Sequence, residues 1–125
     1  MVRRLALGAT LLASLAGCAM QEMTLEDAAE IQPIGPRQIS AERTDDGVEL
    51  RWNDPGGDMV CFEILRATAD EELEVIACVE PVDERPGEQR FVDRSPPGGS
   101  LRYGVRVVDQ FGSRSRTAEA GLDAP

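Results

Sequence analysis

From residue 37 onward the apolar side chains fall on every second position, and no other feature narrows the possible folds of this chain so far. Ile39 and Ala41 alternate with polar neighbours, and Val48, Leu50 and Trp52 face one way while Glu49 and Arg51 face the other. A two-residue period puts successive side chains on opposite faces of a pleated strand, so these segments are half-buried antiparallel strands. Turn chemistry separates them at Asp45-Asp46-Gly47, Asn53 to Asp58, Ala67 to Glu72, Pro81 to Glu88, Pro96-Pro97-Gly98-Gly99 and Phe111-Gly112. Further inward sets are Val60, Phe62 and Ile64, then Val75, Ala77 and Val79, then a short strand beginning at Phe91. Leu101, Tyr103, Val105 and Val107 follow, pointing inward across Arg102 and Arg106, and Ser113 to Glu119 forms a polar last strand. Seven short strands with turns about every ten residues predict an all-β, seven-stranded antiparallel sandwich over residues 37–120, with 121–125 as a tail.

The 125 residues carry 23 acidic and 13 basic side chains, a net charge of -10, and every base is Arg because the chain has neither Lys nor His. Without His there is no Ser/His/Asp or Cys/His nucleophile and no imidazole metal site; without Lys there is no Schiff-base chemistry. An acidic surface also argues against nucleic acid, whose binding needs cations that displace counterions from phosphate. The length suits one domain.

Residues 1–17 form a signal peptide: Met-Val-Arg-Arg, then an apolar run from Leu5 to Gly17 that is too short to span a bilayer. Leu15-Ala16-Gly17-Cys18 resembles the lipobox of bacterial lipoproteins. The resemblance implies that Cys18 is the lipid attachment site, that the chain is cut just before it, and that the mature protein is held in the cell envelope by its acyl chains. Ala19, where Asp would signal retention at the inner membrane, points by the same resemblance to the outer membrane, facing the periplasm or the cell surface. Cleavage removes Arg3 and Arg4 and no acid, so the mature chain carries -12. Such a charge holds everything beyond the lipid away from anionic bilayers. Residues 18–36 form a linker, with one or two helical turns starting at Thr24 at most, ended by Pro33 and Pro36.

The ordered set Pro36, Gly47-Val48-Glu49-Leu50-Arg51-Trp52, Phe62-Glu63-Ile64-Leu65-Arg66, Phe91-Val92-Asp93, Tyr103-Gly104-Val105-Arg106-Val107-Val108-Asp109 and Gly112-Ser113-Arg114-Ser115 resembles a fibronectin type III domain over residues 36 to about 118. The resemblance implies a Trp and a Tyr in different parts of one core, with the Tyr hydroxyl bonded to a backbone group at a strand corner. Trp52 on the second strand, with no Cys there, differs from the immunoglobulin pattern.

Cys61 and Cys78 lie outside that pattern. A hairpin centred between Ala69 and Asp70 would set Phe62 opposite Ala77, Ile64 opposite Val75 and Cys61 opposite Cys78. In an oxidising compartment this predicts a disulfide on the outer face, worth about 3 kcal/mol in the chain-entropy model. The alternative is two reduced thiols packed as small apolar groups.

The fibronectin resemblance implies that the loop acids divide between the two ends of the sandwich: Asp45, Asp46, Asp70, Glu71 and Glu72 at one, and Asp54, Asp58, Glu80, Asp83 and Glu84 at the other. They read as solvated charge, since the Asn53 to Asp58 loop lacks the alternating ligands of a calcium loop. Arg51, Arg102 and Arg106 read as partners of neighbouring acids. Phe111 either covers one end of the core or is an exposed contact. No catalytic residue, metal or cofactor is expected. The function expected is a non-catalytic binding or spacing module anchored to the envelope, with an envelope protein or a glycan as partner. An accessory glycan hydrolase using loop carboxylates and a minor subunit of an envelope complex are the alternatives.

Overall fold

The computed structural model describes residues 32–81 and 87–125. The signal peptide, Cys18, the linker up to residue 31, Asp83 and Glu84 lie outside the described residues. Seven strands follow in order: β1 (Arg37–Thr44), β2 (Gly47–Asn53), β3 (Cys61–Thr68), β4 (Glu74–Val79), β5 (Glu88–Asp93), β6 (Leu101–Val108) and β7 (Ala118–Leu122). They form two antiparallel sheets, one in the order β1-β2-β5 and the other β4-β3-β6-β7. No helix occurs among the described residues.

The core lies where the inward faces meet. Val48, Leu50 and Trp52 of β2 face Phe62 and Ile64 of β3 and Leu101, Tyr103, Val105 and Val107 of β6, all of them buried. Trp52 and Phe62 touch edge to face, their ring centroids 5.2 Å apart and their planes at 67°. That arrangement sets the positive edge of one ring against the negative face of the other. The alternation read from the sequence holds on β2 and β6, where every expected inward residue is in the core.

Elsewhere the structure departs from it. Val60 precedes β3 and is 52% exposed, and Val75 is 46% exposed. Phe62 pairs with Val79 and Ile64 with Ala77, two positions beyond the expected register. The connection is longer than a two-residue turn, with residues 69–73 between the strands and Leu73 beside the sheet. A Cβ built on Gly104 of β6 would sit only 3.3 Å from its side chain. A register shift between Ile64 and Leu65 then turns Ile76, not Val75, toward the core.

The disulfide between Cys61 and Cys78 is present, with a Cα–Cα separation of 5.7 Å. It links diagonal positions, since Glu63 is the residue directly opposite Cys78. Its Cys61 end is also only 3% exposed, although the outer face was expected to be open.

Both ends of the domain also shift. Pro36 is buried, and a Cβ on Gly35 would lie 2.9 Å from the Arg116 carbonyl oxygen, so the last residues of the expected linker belong to a compact unit running from Gln32 to Pro125. The last strand starts later than Ser113 and includes two residues of the expected tail, Gly121 and Leu122. Leu122 pairs with Leu101 and packs on the core, and that apolar contact is why the strand continues to it.

Replacing Trp52 with Ala removes the largest inward side chain of β2 and leaves a cavity where Phe62 loses its partner. The expected cost is about 3 to 5 kcal/mol, read as a fall in denaturation midpoint at unchanged m-value.

Candidate functional site

The loop joining β6 to β7 is built around Asp109. Its carboxylate oxygen Oδ1 accepts the N–H groups of Phe111 and Ser113, both at 2.9 Å. Its carbonyl accepts the Gly112 N–H at 3.0 Å, and its own N–H donates to the Ser113 carbonyl at 3.0 Å. Gly112 has φ of 82°, a left-handed conformation that a side chain disfavours. Buried Ser115 then ties the returning chain to β6. Its N–H donates to the Val107 carbonyl at 2.9 Å, while its hydroxyl accepts the Val107 N–H and donates to the Arg116 carbonyl, both at 2.8 Å.

This scaffold presents Phe111 with 82% of its surface in water, so the ring does not cover the core. The β2–β3 connection ends beside the root of the same loop, where the N–H of exposed Val60 donates to the Val108 carbonyl at 2.8 Å. A rigid loop holding an aromatic ring in solvent is suited to contact, because little conformational freedom remains to be lost on binding.

Seven of the seventeen described acids have side-chain partners: Glu49, Asp54, Glu63, Glu71, Asp93, Asp109 and Glu119. Asp54 is buried and caps its own turn, its Oδ1 accepting the Gly56 N–H at 2.7 Å, which corrects its expected place among solvated loop charges. Among the described residues no three acidic or Cys side chains come together as a metal site would need. The outward arginines pair as expected. Arg51 meets Glu49 at 3.0 Å, Arg106 meets Glu63 at 2.7 Å, and Arg102 meets Glu119 at 3.5 Å. Hydrogen bonds from Arg51 and Arg90 hold the Glu49 carboxyl below its usual range, and Arg114 with Arg106 does the same for Glu63 against the opposing effect of burial.

Asp93 was not singled out as a site residue, although alternation with Gln89 and Phe91 directs it inward. The Tyr103 hydroxyl donates to its Oδ2 at 2.6 Å and Arg66 to the same oxygen at 2.9 Å. The Tyr hydroxyl therefore bonds a carboxylate and not the backbone group that the family resemblance implied. The bond joins the two sheets, since Asp93 lies on β5 and Tyr103 on β6. Burial alone would push the Asp93 carboxyl up; the bonds from Tyr103, Arg66 and the Ser95 N–H outweigh it and hold it low, while burial and the same carboxylate push Tyr103 up.

Two hollows adjoin the N-terminal segment of the domain. One, of about 300 Å³, lies between Ile34 to Arg37 and Arg116 to Ala118. The other, of about 400 Å³, continues past Ile34 and Arg37 to Gln38, Asn53 and Asp54.

No protein-family model and no curated relative matches the chain. Among solved structures, pectate lyase Pel3 from Pectobacterium carotovorum is similar at 23% identity and a TM-score of 0.51, over 70% of this chain and 26% of that one. A family 76 glycoside hydrolase from a bovine Bacteroides thetaiotaomicron strain is similar at 10% identity and a TM-score of 0.57, over 74% of this chain and 20% of that one. The likeness is one of fold, and this chain spans 26% of the length of the first and 20% of the second.

A carboxyl held low in the folded state stabilises fully above its unfolded value and loses that contribution as pH falls through the lower folded value. Asp93, whose ordinary value is 3.8, and Glu63, at 4.5, both act in this direction. The melting temperature should therefore fall progressively as the solution is acidified below those ordinary values. Tyr103→Phe should cost about 1.5 to 3 kcal/mol near neutral pH, the range for a hydrogen bond to a charged group, and should make the acid decline shallower in calorimetric scans.

Proposed function

We propose that the protein is a lipid-anchored component of a bacterial cell envelope, held by Cys18, whose single fibronectin type III-like domain acts as a non-catalytic binding or spacing module. The strand orders β1-β2-β5 and β4-β3-β6-β7, with Trp52 and Tyr103 buried in one core, support the family resemblance. The -12 charge of the mature chain supports a domain that stands off the bilayer, and the bridge between Cys61 and Cys78 suits an oxidising compartment.

The observation that carries the binding role is Phe111, a bare aromatic ring held in water by a loop that four hydrogen bonds around Asp109 make rigid. The partner is an envelope protein or a glycan. The two enzymes of similar fold, a pectate lyase and a glycoside hydrolase by name, support the glycan side. Binding is favoured over hydrolysis because a glycosidase sets two carboxyls about 5 to 9.5 Å apart across its bond. The two hollows beside Arg37 present one carboxylate between them, that of Asp54, already bonded to Gly56. An anchor also raises the local concentration of the module near its partner, so modest affinity suffices.

Cys18→Ser should move the protein from the membrane fraction to the soluble one, and undiminished membrane retention would refute the anchor. Phe111→Ser should leave the unfolding free energy within about 0.5 kcal/mol of the parent, as surface substitutions do, while abolishing capture of the envelope partner. Capture equal to that of the parent would place the contact elsewhere.

A further inference from the structure

The arginines divide sharply by their surroundings. Seven of those on the described residues are held: Arg51, Arg66, Arg90, Arg102, Arg106 and Arg114 by carboxylates, and Arg43 by the carbonyls of Gly99 and Asp123. The guanidiniums of Arg37, Arg94 and Arg116 have no hydrogen-bond or ion-pair partner among the described residues. Two of these three, Arg37 and Arg116, line the same hollow, and no carboxylate lines it with them. In a chain where acids outnumber bases 23 to 13, two unpaired guanidiniums beside one acid-free groove mark a place for an anion from outside.

The floor of that groove is firm. Pro36 is buried, Gly35 lies against the Arg116 carbonyl closely enough to exclude any side chain, and Ser115 fixes the opposite wall to β6. The neighbouring hollow shares Ile34 and Arg37 with it, so together they form an extended track. Along this track lie an exposed apolar wall at Ile34, Thr117, and the amides of Gln38 and Asn53, which bond each other; buried Asp54, its carboxylate accepting the Gly56 N–H, lines the far hollow only.

We propose that this track binds an acidic glycan, with a carboxylate of the saccharide between Arg37 and Arg116 and neighbouring rings against Ile34 and the amides. Hydroxyl-rich rings match the amide groups, and one acid group per ring matches a single pair of cations. A membrane face is the less suitable anion. It would present an extended negative sheet to a chain of -12, whereas a thin oligosaccharide brings only its few charges into the groove. The inference rests on the domain being a binding module but uses a surface separate from Phe111.

The test is titration of the purified full chain with a uronic-acid tetrasaccharide, followed by amide chemical shifts and calorimetry. Saturable binding should shift the Ile34, Arg37 and Thr117 amides. Arg37→Ala and Arg116→Ala should each weaken it about tenfold at unchanged melting temperature, the loss expected for one hydrogen bond to a charged group. Affinity should fall as salt is raised, and a neutral tetrasaccharide should not saturate. Equal binding of the neutral sugar, of inorganic phosphate alone or of phosphatidylglycerol vesicles would overturn the assignment, as would indifference to both substitutions. Phe111→Ser should leave the titration intact. If capture of the partner depends on Phe111 while the glycan does not bind, the groove fails and the binding module stands. If the glycan binds and capture is indifferent to Phe111, the groove stands and the contact through Phe111 fails.

Discussion

Every strand in this domain has one face that must leave water, and only the opposite sheet can cover it. The contact that satisfies both sheets at once is Trp52 against Phe62, at the centre of a layer one side chain deep from each side. Because β2 and β3 bring these rings together, β5 is placed beside β2 and β6 beside β3, and the remaining strands attach at the edges. A sandwich of this size buries only somewhat more than about 60 per cent of its unfolded surface, so its few large side chains carry a large share of its stability.

Polar links at the margins supplement that core. The Tyr103 hydroxyl and the Arg66 guanidinium converge on Asp93 across the gap between sheets, and Arg43 reaches the carbonyls of Gly99 and Asp123. The disulfide fastens edge strand β4 to β3. An edge strand held covalently is less free to peel away and pair with another chain. Most of the described arginines are matched by carboxylates, while Arg37, Arg94 and Arg116 and the Phe111 ring are left uncommitted, Arg37 and Arg116 beside the entry of the chain into the domain. Affinity depends on groups that the fold has not already used, and Phe111, Arg37 and Arg116 are the ones proposed to meet partners.

Much of this was legible in the order of residues. The fold class and the inward faces of β2 and β6 follow from period-two alternation, a local property decided within a few positions along the chain. Cys61 and Cys78 were matched through a hairpin whose register the structure moves by two, so they meet diagonally. Of the expected arginine pairs, Arg51 finds Glu49 on its own strand and Arg102 finds Glu119 on the next, while Arg106 finds Glu63 across strands far apart in the chain. The basic and apolar residues 1–17 before Cys18 lie outside the described residues, and the proposed envelope location rests on their sequence pattern alone.

What the chain order could not decide depends on distant contacts. The register of β4 lies two beyond the expected one, with Leu73 of the connection beside Gly104, thirty-one positions away, and the last strand extends to Leu122 because Leu101 offers it an apolar partner. Phe111 had two possible surroundings until Asp109 and Ser115 were seen to hold its loop clear of the core. Arg37 and Arg116 become a pair only when the start of β1 and the approach to β7 are folded together. Alternation along a chain specifies which face of a strand is wet, but which side chains meet across the fold is set by burial and by the closing of loops, which no local pattern contains.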